Sequence, residues 1–151
     1  VALDIDSILD TVVTHAQATG WFQTVEEHES KIQNTNSITA GVWIESIDPI
    51  KSSGLASVSV RLELEMRIYG STMTEPYGDI DSNLAKAVDA LFAAYLGDFD
   101  LGSEARHIDI FGAHGRGLGV RSGYLNMGGR ELRVFQIRLP IILNDIWDET
   151  A

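Results

Sequence analysis

Two histidines and a carboxylate stand close together at His107-x-Asp109 and His114. Two histidines with one carboxylate form the facial triad of non-haem iron sites, in which three side chains converge on one ion. His107 and Asp109 share one face of an expected strand. His114 follows inside a glycine-rich stretch, and no series of short strands surrounds it as in a jelly roll, so ordinary strand positions are the favoured reading. The run Asp98-Phe99-Asp100-Leu101-Gly102, with Glu104, resembles the opening of a calcium loop. An EF-hand loop needs glycine at its sixth position and a bidentate glutamate at its twelfth. Here glycine is fifth and glutamate seventh, which favours a solvated turn after a helix. Gly115-Arg116-Gly117-Leu118-Gly119 precedes a strand and not a helix, so no helix N-terminus is there to hold a pyrophosphate. No Walker A segment and no Gly-x-Ser-x-Gly nucleophile elbow occurs. Glu63 and Glu65 lie on one strand face with Arg61 and Arg67, where charge pairing across a wet sheet is expected. No catalytic constellation and no cofactor or metal site emerges.

The elements that would position these residues are legible from periodicity. Ile5, Ile8, Leu9, Val12, Val13 and Ala16 recur at helical spacing behind Asp4 or Asp6 as cap, and Gly20 stops the helix. Trp21, Phe22 and Val25 begin a short strand, and Ser30 to Ser37 reads as a loop. Ile38 to Ile47 reads as a strand with Ile38, Ala40, Val42 and Ile44 on one face and Trp43 and Ile47 on the other; Asp48-Pro49 ends it. Lys51 to Gly54 reads as a turn. Val58, Val60, Leu62, Leu64, Met66 and Ile68 then alternate strictly with Ser57, Ser59, Arg61, Glu63, Glu65 and Arg67, predicting a long antiparallel strand with one face on a core and one in water. Gly70 to Gly78 reads as a loop. A second helix is expected over about Ile80–Leu96 on Leu84, Ala87, Val88, Leu91, Phe92 and Tyr95, closed by Gly97. His107 to Phe111 reads as a strand and Phe111 to Gly129 as a glycine-rich loop that orders against a partner. The last strand is expected from about Leu132 to Leu143, with Pro140 at an edge or bulge, followed by an acidic tail from Asn144.

Ile5-Asp6-Ser7 recurs as Ile80-Asp81-Ser82, and Leu9 and Val13 match Leu84 and Val88 at the same offset. This echo suggests an αββ unit used twice. The expected fold is α+β: an antiparallel sheet with two helices packed on one face and an extended β-hairpin or loop. A chain of 151 residues is the size of one domain, taken here as residues 1–151. It has no cysteine, which excludes disulfides, thiolate nucleophiles and cysteine zinc sites. No apolar run reaches bilayer-spanning length, and no basic segment leads into a signal-type apolar stretch, so neither a membrane partner nor secretion is expected. The net charge of −11 argues against a surface that wraps nucleic acid.

Taken in order, several strings carry a resemblance. Gly20-Trp21-Phe22 ends the first helix, and Thr39-Ala40-Gly41-Val42-Trp43-Ile44 leads to the long alternating strand up to Tyr69. Glu75-Pro76 through Ile80-Asp81-x-x-Leu84 opens the second helix, which ends in Ala94-Tyr95-Leu96-Gly97-Asp98-Phe99. Gly123-Tyr124-Leu125-Asn126 precedes the final strand, and Asn144-Asp145-Ile146-Trp147 closes the pattern. Over nearly its whole length the chain resembles tail terminator (tail completion) proteins of siphophages infecting actinobacteria. The resemblance implies a structural virion protein without enzymatic activity. It implies a homo-oligomeric, hexameric ring on the last ring of tail tube protein, stopping tail growth and joining the head connector or stopper. It places the protein in the phage neck, assembled in the host cytoplasm, with genomic DNA passing unbound. Candidate subunit-interface residues are Arg116, Arg121, Tyr124 and Trp147; candidate channel-wall carboxylates are Glu63, Glu65, Asp79, Asp98 and Asp100. The alternatives are another neck or tail-tube component, such as a head–tail joining protein, or a small metal-dependent enzyme of the same fold class.

Overall fold

The computed structural model describes residues 3–28, 38–51, 56–71, 79–102, 105–127 and 130–149. The expected loop at Ser30–Ser37, nearly all of the turn up to Gly54 and nearly all of the Gly70–Gly78 loop lie outside them, as does Glu104. Two helices, α1 (Ile5–Ala18) and α2 (Asp79–Leu96), accompany six strands: β1 (Val25–Glu26), β2 (Thr39–Lys51), β3 (Ser57–Ser71), β4 (His107–Ile108), β5 (Gly119–Met127) and β6 (Arg130–Asp148). The sheet runs β1-β2-β3-β6-β4, with β5 also on β6. Every pairing is antiparallel except β1 with β2. This is the expected α+β class.

Asp4 caps α1, accepting the Ser7 N–H at 3.2 Å. The helix is rich in Val and Thr, which are poor helix formers, so its stability comes from packing. Ile8, Leu9, Val12, Val13 and Ala16 are buried, worth about 1.5–3 kcal/mol for each of the larger side chains. They meet Leu84, Val88, Leu91 and Tyr95 of α2 and the even-numbered positions Val60 to Ile68 of β3 in one core cluster, joined by Ile137, Leu139, Ile141 and Leu143 of β6. Both helices therefore lie on one face of the sheet. The Tyr95 hydroxyl donates to the Val12 carbonyl at 3.0 Å, tying the helices together inside the core.

Several sequence expectations change. β2 continues through Asp48-Pro49 to Lys51, and the register shifts between Ile44 and Ser46, leaving Glu45 as a bulge residue. Ile47 pairs with Leu62 and so stands on the helix face with Ile44, not opposite it with Trp43. Pro140 lies inside a 19-residue strand. Its carbonyl accepts Asp109 N–H at 2.9 Å on the side away from β3, so its missing N–H also falls on that side, between the ends of β4 and β5. Residues 144–148 are no tail: Trp147 and Asp148 pair with Val58 and Ser57, past a second register shift where Asp145 adopts φ 51. The stretch taken as one glycine-rich loop contains the nine residues of β5. Each helix is followed by a two-residue strand and a long hairpin, but β1 runs parallel to its hairpin and β4 antiparallel, so element order repeats and pairing does not.

Candidate assembly surfaces

The sheet face opposite the helices was expected to be wet, yet Ser59, Arg61 and Glu63 are buried there. Residues 109–118 fold back over them. Arg61 Nη1 donates to Glu63 Oε1 at 3.0 Å, and its Nη2 donates to the Arg116 carbonyl. Arg61 Nε stands 3.7 Å from Asp109, whose carboxylate is 2% exposed and accepts the N–H groups of Ala113 (2.7 Å) and His114 (3.1 Å). Burial alone would raise the Asp109 pKa. The amides of His114 and Ala113 and the Arg61 charge outweigh it and hold the carboxyl below the ordinary range. Arg138 Nε donates to the Gly117 carbonyl at 2.8 Å, and Leu118 N–H reaches back to Ile110 O at 3.1 Å. Gly112 takes φ 79, and a Cβ on Gly117 would meet Gly112 N at 2.7 Å, so both turns need glycine. The loop is thus tied to its own sheet, and it carries Phe111, 96% exposed, at its outer end.

Among the described residues the two flanks of the sheet are open. β1 covers β2 only at Ala40 and Gly41, so among the described residues β2 from Val42 to Lys51 has no strand on its outer side. Exposed there are Ile44, Glu45, Ile47 and Asp48. On the other flank β5, among the described residues, pairs with β6 alone and exposes Val120, Arg121 and Tyr124. An edge strand bearing apolar side chains is a template for a further strand.

Of the interface candidates, Arg121 and Tyr124 lie on opposite faces of β5, and Arg116 lies on the loop that precedes it. Arg116 and Arg121 are exposed, and Tyr124 lies under the Arg133 guanidinium at 4.6 Å. Arg133 also sits 5.5 Å from the Phe135 ring and donates Nε to Asp81 at 2.8 Å, locking β6 to the start of α2. Trp147 stands at the far end of β6, roughly 45 Å along the strand from the pair of Tyr124. The wall candidates divide among several surfaces. Glu63 is buried against Arg61, and Glu65 is half-buried on the same sheet face. Burial first, and then the Glu45 charge, raise the Glu65 pKa. Asp79 opens α2, while Asp98 and Asp100 follow its other end, about 27 Å away by helix rise. Asp98 accepts Gly102 N–H at 3.0 Å and meets His15 Nε2 at 2.7 Å, and these two hydrogen bonds lower its pKa. It is therefore a turn cap and a helix staple. Among the described residues no group of three or more His, Asp or Glu side chains is arranged to hold a metal ion. Phe111, Ile44, Ile47 and Val120 were not singled out from sequence. The signal available for Phe111 was a large aromatic set within glycines.

No protein-family model matches the chain, and no curated protein matches it. Among solved structures it is similar to a chain from the virion of a native gene transfer agent particle, at 9% identity, covering 89% of this chain and 92% of that one with a TM-score of 0.43. The overlap is too loose to assign a role.

Proposed function

We propose that this protein is a structural virion subunit of the tail terminator type, without enzymatic activity, whose copies form a ring that caps the tail tube. The observation that carries the reading is the sheet open on both flanks among the described residues, each flank bearing exposed apolar and charged side chains. Such a sheet is continued by further subunits instead of closing on itself. The sequence resemblance supplies the rest: a hexamer, the tail tube protein on one side, the head connector or stopper on the other, and DNA passing through without being bound. The neck of the virion is then its place.

Electron microscopy of the purified protein, alone and with polymerised tube protein, tests this. Rings, or caps at one end of tubes whose lengthening then stops, are expected. Monomers that leave tube growth unchanged at every concentration would remove the reading.

A further inference from the structure

Phe111 is presented by a loop whose every turn is fixed from below. Three buried charged groups, Arg61, Glu63 and Asp109, together with two required glycines hold a segment whose most prominent feature is a bare aromatic ring. A preorganised loop loses little freedom on docking, and an aromatic side chain held ready in this way is the usual anchor of a protein interface. The loop carries Arg116 and leads into β5, where the exposed Arg121 lies on the loop's face of the sheet and the exposed Val120 and Tyr124 on the helix face. The opposite flank is its complement in kind. Ile44 and Ile47, 37% and 41% exposed, stand on the helix face of the open β2 edge, while the exposed carboxylates Glu45, in the bulge, and Asp48, opposite Arg61, lie toward the other face.

Strand directions fit as well. β3 is antiparallel to both β2 and β6, so β2 runs with β6, and β5 runs against β6. A second copy entering in the same sense would lay its β2 antiparallel to β5, extending the sheet in the pairing it already uses. We propose that the Phe111 loop and β5 of one copy dock on the open β2 edge of the next. Val120 packs on Ile44 and Ile47 on the helix face, and on the opposite face Arg116 and Arg121, with Phe111 of the loop beside them, meet Glu45 and Asp48. This contact rests on the ring reading and specifies its joint. It joins two different surfaces, so any open chain of copies keeps one free head and one free socket, and only closure fills both.

The absence of cysteine makes a direct test simple. Val120→Cys and Ile47→Cys are prepared as separate proteins, both at exposed positions on the helix face of the sheet. Under mild oxidation the mixture should form a disulfide-linked dimer on the order of ten times faster than either protein alone, because docking raises the local thiol concentration. In a second arm, Arg121→Glu should reduce assembly of the otherwise unchanged protein in sedimentation, and adding Glu45→Arg to the same chain should restore it. If the unchanged protein assembles while the mixture crosslinks no faster and Arg121→Glu has no effect, this joint is wrong and the ring reading stands. If the unchanged protein stays monomeric at every concentration and the mixture does not crosslink, both fall.

Discussion

The Asp109 carboxylate does for the loop what a cap does for a helix: it collects amides that would otherwise go unpaired, those of Ala113 and His114. Removing one member of a buried charge pair leaves the other without compensation. Asp109→Ala is therefore expected to cost about 3 kcal/mol in urea unfolding, with Arg61→Leu added in the same chain recovering part of the loss. The pH dependence follows from the direction of the Asp109 shift. A carboxyl whose pKa is depressed in the fold contributes stability that is present above its unfolded value of about 3.9 and is lost as pH falls through the folded value. Hydrogen exchange at Ala113 and His114 should stay slow down to about pH 4 and accelerate in stronger acid, whereas Asp109→Asn should already show fast exchange at neutral pH. Slow exchange in that variant would mean that the glycines alone hold the loop.

At the scale of elements, the bulge at Glu45 makes an unusual deletion tolerable. Ile44 already faces Leu64 and Ser46 already faces Glu63, so removing Glu45 joins two residues whose partners are consecutive. The variant lacking Glu45 should fold with a melting temperature within a few degrees of the unchanged protein, whereas deletion of Leu62 should abolish soluble expression by turning one half of β3 over. Equal losses from the two deletions would contradict this register. The same bulge shows where sequence reading stops. The alternation from Val58 to Ile68 identified which residues face the helices, because a period of two has only one buried solution. A single extra residue in β2 reverses the parity without leaving any mark in composition, so alternation alone puts Ile47 on the face opposite the one it occupies. The cover over Arg61 was equally hidden: its partners Asp109 and Arg116 lie 48 and 55 positions along the chain. Alternation reports that a face is polar, and nothing about what folds down on it. Both helices were legible because their apolar stripes and glycine stops are local. β5 was not, because its glycines and exposed residues blur the alternation, leaving pairing with β6 to define it.

For the whole molecule, charge is the property that a ring would multiply. The chain carries −11, and of the described cations Arg61, Arg133 and Arg138 are hydrogen-bonded within the fold, while Arg116, Arg121, Lys51 and Lys86 face outward on separate surfaces. Duplex binding needs several cations that can each neutralise a phosphate. Fluorescence anisotropy with a labelled duplex at physiological salt should therefore show no binding, either for single chains or for assembled rings. Binding that weakens steeply with salt would reveal a basic surface created by assembly and would overturn the picture of an unobstructed conduit for DNA.

The position of β6 in the chain sets an order of events during synthesis. It is the last of the described elements and an interior strand of the sheet, pairing β3, β4 and β5. Until it emerges from the ribosome, β3 has a partner on one side only, and its apolar row must wait with α1 and α2 for the residues that complete the core. Contacts so distant in sequence slow folding and leave a sticky edge exposed to other nascent chains. A ribosome-stalled intermediate released before β6 should therefore bind general chaperones and aggregate, whereas the same chain released after β6 should fold unaided.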